Sequence, residues 1–456
     1  MEQNRENKLG TQPVPRLLAS MAVPLIAANL ITALYNVVDG IYVAKLSQAA
    51  LTATTLAFPA QMIMHAMASG TACGVNSLLS RRLGARRFSE ATAAAQHGLV
   101  LALMNYVVFL VLGLTLSAPF IGMFTDSDEL LRMGATYTAI CLAGSIGVFL
   151  TFTFNGLLQS TGHSGLCLIM QATGAAVNII LDPILILGRH GFPQMGIAGA
   201  AVATVISQCL SAVLGFIFNY AYNKDVRLDL KGFRFNKPIL ADIYRVGVPS
   251  MLMQSIGSLM DIGMNKILIS VSDAAVSVFG IYFKVHSFVF MPVVGTAQGM
   301  VPIVGYNYGA KRPDRMKQAL KLGVIVAVCI MAMGTAFFQL FPETILSWFS
   351  ATEEVYAIGI PALRITSMPF VLAASCIVLG DALTGMGIGY VSAINSFLRQ
   401  ILVLLPLAYV LERFCGLDYV WYAFVASEVC SLSYTIMMFT RIWKKKVKPL
   451  EINTDP

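Results

Sequence analysis

Apolar runs of about twenty residues recur along the whole chain, divided by short polar or turn-rich breaks. Each is long enough to cross about 30 Å of hydrocarbon as a helix. With 57% hydrophobic and only 12% charged residues, the 456-residue chain has too little polar surface to solvate one globule. Soluble enzymes, nucleic-acid binders and disulfide-stapled secreted domains are excluded as readings of the whole chain. The runs read as twelve spans, at 16–44, 50–80, 90–117, 132–160, 165–188, 196–222, 239–270, 274–306, 316–341, 355–384, 391–411 and 419–440. The expected fold is an all-α membrane protein of twelve transmembrane helices. The polar N-terminus leads into a full-length span, so no cleavable signal peptide is expected.

The longest break, from Asn223 to Asn236, carries Lys224, Arg227, Lys231 and Arg234 and divides six runs from six. It sets the expected organisation: an N-terminal six-helix lobe (1–222), a linker (223–238), a C-terminal six-helix lobe (239–440) and a tail (441–456). The N-terminus, the 81–87 stretch, the linker, the 311–321 stretch and the tail hold about 23 of the 31 Lys and Arg. The opposite loops hold Lys45, Arg132, Arg189 and Arg413. By the positive-inside rule both termini are cytoplasmic. The net charge of +8 then reflects orientation rather than a nucleic-acid partner.

The halves repeat. Gly70-Thr71-Ala72-x-Gly74 recurs as Gly295-Thr296-Ala297-x-Gly299, and Gly84-Ala85-Arg86-Arg87 as Gly309-Ala310-Lys311-Arg312, both at an offset of 225. The same offset sets Val23-Pro24 on Val248-Pro249 and Gly162 on Gly387. Self-similarity at a fixed spacing marks a repeat architecture. Each repeat crosses an even number of times, so the two bundles share one orientation. They are expected to be related by a pseudo-two-fold axis along the membrane normal.

A charge inside a span costs about 2.5–3.5 kcal/mol on insertion scales, so each needs a reason. In the first half, only Asp39 and Asp182 are acidic residues within apolar runs. At 1.5 Å per residue, Asp39 lies roughly 34 Å along the first run, Asp182 roughly 26 Å along the fifth, and Thr204 roughly 12 Å from the opposite end of the sixth. All three fall in the outer half of the membrane. Asn178 is four residues before Asp182 and shares its helix face, and Pro183 frees a carbonyl beside the carboxylate. Two carboxylates, an amide oxygen and a hydroxyl can bind a cation such as Na⁺. They can equally hold a proton, since burial and a neighbouring carboxylate both favour the neutral acid. The alternative is that the acids cap bends or bridge helices through neutral partners.

In the second half Asp261 and Glu428 lie within runs, near Lys266, Lys284, His286, Arg364 and Arg399. Internal ion pairing accounts for them; the sharper reading gives Asp261, Lys284 or Glu428 a coupling or gating role. Asp381, near the inner end of the tenth run, reads as structural. His65 and His163 are isolated, and the eight Cys form no C-x-x-C pair, so they read as small buried hydrophobes and no metal site is expected beyond Na⁺ at Asp39, Asn178 and Asp182. No G-x-x-x-x-G-K-[ST] loop occurs. No catalytic constellation recommends an enzyme, and no cofactor is expected.

These segments resemble the multidrug and toxic compound extrusion (MATE) transporters, bacterial branch. The resemblance rests on the two six-span halves, Val23-Pro24, Leu34-Tyr35-Asn36-Val37-Val38-Asp39, Gly70-Thr71-Ala72 and Gly156-Leu157-Leu158-Gln159-Ser160-Thr161-Gly162. It continues through Asn178-Ile179-Ile180-Leu181-Asp182-Pro183 and Gly196-Ile197-Ala198-Gly199-Ala200-Ala201. It implies export of small amphipathic, often cationic drugs in exchange for H⁺ or Na⁺, from a bacterial inner membrane, by a chain expected to act as a monomer. The family's amino-lobe cation site maps onto Asp39, Asn178 and Asp182, with Thr204 beside them, and helix bending onto Pro24 and Pro249. Members with a carboxy-lobe sodium site carry acids on helices 7 and 10. Asp261 answers the first, whereas the tenth run offers Arg364 and only the inner Asp381. The alternative function is a flippase for lipid-linked oligosaccharide or another lipid, within the wider exporter superfamily.

Overall fold

The computed structural model describes residues 7–189, 191–226, 228–230 and 233–452. Arg227 and Lys231 of the linker lie outside the described residues. Every regular element among those described is helical. The twelve spans are α1 (Val14–Leu46), α2 (Gln48–Gly84), α3 (Phe88–Gly122), α4 (Asp128–Ala143 and Ile146–Ser160), α5 (Ser164–Leu187) and α6 (Ile197–Tyr222). In the second half they are α7 (Lys237–Ile269), α8 (Asp273–Gly309), α9 (Pro313–Leu340), α10 (Glu353–Ser367 and Phe370–Gly385), α11 (Tyr390–Cys415) and α12 (Tyr422–Ile442). Eight are long and apolar enough to cross a membrane by composition alone, and α4 and α10 qualify once their two segments are joined. The remaining two, α2 and α7, are 37 and 33 residues long but more polar.

The repeat is written into the backbone as well as the sequence. Ser47 accepts the Ala50 N–H at 3.0 Å to start α2, and Ser272, 225 residues on, accepts the Ala275 N–H at 3.1 Å to start α8. A hydroxyl at this position satisfies one of the orphan donors of a helix's first turn. Arg86 and Lys311 hold matching left-handed conformations, φ 57° and 54°, where α2 and α8 end. Gly162 and Gly387 do the same at φ 89° and 82° in the turns after α4 and α10. The bends correspond too. α4 turns by 44° at Gly144-Ser145 and α10 by 45° at Met368-Pro369. Gly144 and Pro369 are again 225 apart; Pro369 has no N–H to continue the helical ladder. Both spans were expected as continuous runs, and the breaks are a correction.

The described residues divide into two compact units, one of residues 7 and 27–251, the other of 8–26 and 252–452. In this division residues 8–26, which include the first part of α1, group with the second half, and residues 237–251 of α7 group with the first. The crossover points, 26 and 251, obey the same 225-residue offset, and each lies two residues beyond a proline, Pro24 or Pro249. A proline inside a helix removes one ladder hydrogen bond, which lets the two parts of each span follow different neighbours.

Within the first unit, α2 packs on α3 and α4, and α6 on α4 and α5; within the second, α8 packs on α9 and α10. Glycines permit the closest approaches. In the second unit Gly295 and Gly299 of α8 leave room for Ile26 and Ala22, where an added Cβ would lie 2.8 and 3.0 Å from the backbone. In the first, Gly70 meets the Gly247 carbonyl, and a Cβ on Gly74 would overlap the carbonyl of Ile243. Because that obstacle is backbone, it cannot rotate away. Gly74→Val should therefore sharply reduce the yield of monodisperse protein on fluorescence-detected gel filtration. Gly165→Ala, with nothing within 4 Å of its added Cβ, should leave yield unchanged. Equal yields for the two would refute the packing.

Candidate cation site

Asn178 and Asp182 sit one turn apart on the buried face of α5, 1% and 0% exposed. The Asn178 Nδ2 donates to Asp182 Oδ1 at 3.3 Å. The α1 wall is fixed lower down, where the Thr32 hydroxyl donates to Gln171 Oε1 at 3.2 Å. Counting seven residues up from each partner reaches Asp39 on α1 and Asn178 on α5, so the two acidic regions share a level. Asp39 and Asp182 are within electrostatic range of each other, and both charges act on the hydroxyl of Tyr35, four residues before Asp39. On α4, Tyr137 and Cys141 complete the surroundings, with Gln61 of α2 beside them, and both feel the Asp39 charge.

One turn beyond the acids, Val43 and Ile186 belong to a buried apolar cluster with Ala50, Ala53, Ile197 and Ala200. The carboxylates thus lie directly beneath a dry apolar layer. No Lys or Arg forms an ion pair with either acid among the described residues. Asp39 Oδ1, Asn178 Oδ1 and Asp182 Oδ2 are all buried without a hydrogen-bond partner. An unsatisfied buried acceptor costs about 1–3 kcal/mol, more when charged, so these three oxygens are the candidate holders of a proton or a small cation. The oxygen-only donor set suits a hard ion such as Na⁺.

Thr204 is the sequence-predicted fourth member of the site. It is half-buried on α6, where its carbonyl accepts the Ser207 hydroxyl, and no described hydrogen bond or charge interaction joins it to the acids. Tyr35, Gln61, Tyr137 and Cys141 escaped the sequence reading. The four-residue spacings Tyr35–Asp39 and Tyr137–Cys141 were available as a signal, but Gln61 becomes visible only when α2 is set against α4.

In the second unit, Glu428 of α12 is held by Arg399, Nη1 to Oε1 2.7 Å. Arg399 lies in a π-helical stretch of α11, Leu398–Leu404, just before Pro406. π-turns of this kind relieve a missing ladder bond and frequently mark functional positions. Gln400 Oε1, Glu428 Oε2 and Asn395 Oδ1 are buried there without partners, as is Asp261 Oδ1 on α7. Gly257, one turn before Asp261, faces Gln400. Ion pairing thus covers Glu428 and leaves Asp261 open. Lys284 does not join this group: it is exposed, with Nζ 5.6 Å from the Phe349 ring centre. The His286 ring lies tilted against Phe290, 3.8 Å between centres, among further aromatic rings. All eight cysteines are free; Cys141, Cys167 and Cys376 are buried, but Cys329, Cys415 and Cys430 are exposed, against the expectation of burial.

The sequence profile of the MatE family matches residues 24–184 and again 249–410. The chain belongs to the MatE family. The two matches start 225 residues apart, the offset seen in caps, turns and bends. Among relatives of this MatE protein, the multidrug export protein MepA of Staphylococcus aureus (strain MRSA252) is 23% identical over 435 residues, 94% of each chain. The probable multidrug resistance protein YoeA of Bacillus subtilis (strain 168) is 25% identical over 440 residues, again 94% of each. The crystal structure of a MATE protein in the bent conformation superposes with a TM-score of 0.90, at 25% identity and 98% coverage of both chains. These likenesses confirm the twelve-helix, two-bundle architecture of a multi-pass membrane protein.

Proposed function

We propose that this MatE protein is a multidrug antiporter, exporting small amphipathic, often cationic compounds in exchange for H⁺ or Na⁺. The observation that carries the reading is the half-buried Asp39 beside the fully buried Asp182, with partnerless oxygens on both acids and on Asn178 and no ion pair to Lys or Arg among the described residues. Two neighbouring carboxylates in a dry setting cannot comfortably carry both charges. A proton or Na⁺ arriving from outside would relieve that strain, and its departure inward would restore it. Each charge moved inward gains about 2.3 kcal/mol per 100 mV of membrane potential.

The mechanism follows from where the acids sit. Asp39 lies on the part of α1 beyond Pro24. Cation binding at Asp39 or Asp182 removes negative charge, allows α1 to bend about Pro24, and weakens the hold on a cationic drug. The six-helix halves, 1–222 and 239–440 with their linker 223–238, then alternate the exposure of the site. The names of MepA and YoeA support drugs as the cargo, and the basic clusters support cytoplasmic termini in a bacterial inner membrane. The protein needs no cofactor and acts as a monomer in this reading.

Ethidium accumulation tests the reading. Cells expressing the protein should hold several-fold less ethidium than control cells, and collapsing either the proton or the sodium gradient should abolish the difference. Ethidium levels that ignore expression would reject drug export, and insensitivity to both gradients would reject antiport.

A further inference from the structure

Where α9 begins and α12 ends, Leu320, Phe439 and Trp443 form the apolar floor of a groove with a cavity volume of about 330 Å³. The rings of Phe439 and Trp443 stack at 30° to each other, 5.5 Å between centres. Lys317, Lys444 and Thr440 form the rest of its lining. α12 continues here as a π-turn, Trp443–Val447, that adds Lys445 and Lys446, and a short helix, Lys448–Ile452, follows. Arg441, Lys444, Lys445, Lys446 and Lys448 are all exposed. The Lys317 ammonium forms an ion pair with Glu451, Nζ to Oε1 2.9 Å; an ammonium carries three donors, so it can meet a second anion as well.

The groove is at the small end of ligand pockets, and it lies at the end of two membrane spans rather than beside the buried acids. Its chemistry is divided: aromatic and aliphatic below, cationic at the mouth. A Trp at a span's end with lysines beyond it is the arrangement that meets a lipid headgroup region. A soluble phosphate would use the lysines but not the floor, and a neutral lipid would use the floor but not the lysines. We propose that the groove binds an anionic phospholipid, its acyl chain along Leu320, Phe439 and Trp443 and its phosphate against Lys317 and Lys444. Glu451 competes with the phosphate for Lys317 and sets the strength of the preference.

The test uses Trp443 as the only tryptophan, in full-length Trp348→Phe/Trp421→Phe protein reconstituted in phosphatidylcholine vesicles. Each vesicle set contains an equal fraction of brominated phosphatidylglycerol or brominated phosphatidylcholine. Brominated phosphatidylglycerol should quench Trp443 at least about twofold more strongly, as expected when lysines favour anionic lipid. Lys317→Gln/Lys444→Gln should remove that excess, and Glu451→Gln should raise it. Equal quenching by both lipids, an excess untouched in the double lysine variant, or loss of the excess on adding soluble glycerol phosphate would overturn the proposal. Because Trp421 is buried, lipid retention by native mass spectrometry on protein with its tryptophans intact provides the second reading. Phosphatidylglycerol should be retained over phosphatidylcholine, and the double lysine variant should lose that selectivity.

Discussion

Asp39→Asn and Asp182→Asn are each expected to abolish cation-coupled drug efflux, at least tenfold in initial ethidium efflux rate, with the protein still folded in the membrane. Each replacement keeps the size of the side chain and removes the group that gains and loses charge. Asp182→Asn preserves an oxygen for the Asn178 amide that now bonds Asp182 at 3.3 Å, so folding should be spared. Removing an unpaired buried carboxylate relieves a cost rather than creating one, and unfolding midpoints should hold or rise. Loss of efflux with retained stability is the signature of a switching group. Membrane levels read by a fluorescent fusion and ethidium efflux read in the same cells separate the two effects. Unchanged efflux in both variants would mean that the acids do no more than bridge helices.

The Arg399–Glu428 pair gives the second large effect, of the opposite kind. Glu428→Gln leaves the Arg399 guanidinium without the negative charge that now neutralises it at 2.7 Å inside the bundle. Breaking a fully buried pair costs about 3–5 kcal/mol; with the Arg399 side chain 25% exposed, about 2 kcal/mol is expected, lowering the unfolding midpoint by several degrees. The double change Arg399→Met/Glu428→Leu should recover most of that loss, because apolar residues of similar size avoid the desolvation cost of both charges. Thermal unfolding of the purified single and double variants measures it. If the double variant is as unstable as the single one, the pair is part of a wider network with Gln400, Asn395 and Asp261, and not a self-contained bridge.

The sequence carried the spans and the repeat because both are written in one dimension. Apolar length sets a crossing, and an unbroken offset of 225 survives as Gly70 against Gly295 and Ser47 against Ser272. The bends at Gly144 and Pro369 were not legible, because a glycine in a packed helix and one at a break look alike without Val205 beside it. Nor did the chain announce that α1 and α7 each divide between two compact units: the prolines suggested bending, while the choice of neighbours belongs to tertiary packing. At the site, the shared level of Asp39 and Asp182 followed from counting rise per residue. For Thr204 counting goes no further than its depth, since depth along α6 says nothing about which way its side chain faces. Lys284 shows the same limit in the second half, where proximity along the chain to acidic spans gave way to a place beside Phe349.

The most direct measurement is cation release on drug binding. If the Asp39–Asp182 cleft holds the coupling ion and the ion weakens the drug's hold, linkage requires that the drug weaken the ion's hold equally. Adding ethidium to purified protein in weakly buffered detergent solution, followed with a pH electrode and a sodium electrode, should release close to one H⁺ or Na⁺ per protein bound. Asp39→Asn and Asp182→Asn should release none. Undiminished release from both variants would place the coupling ion elsewhere and contradict the account.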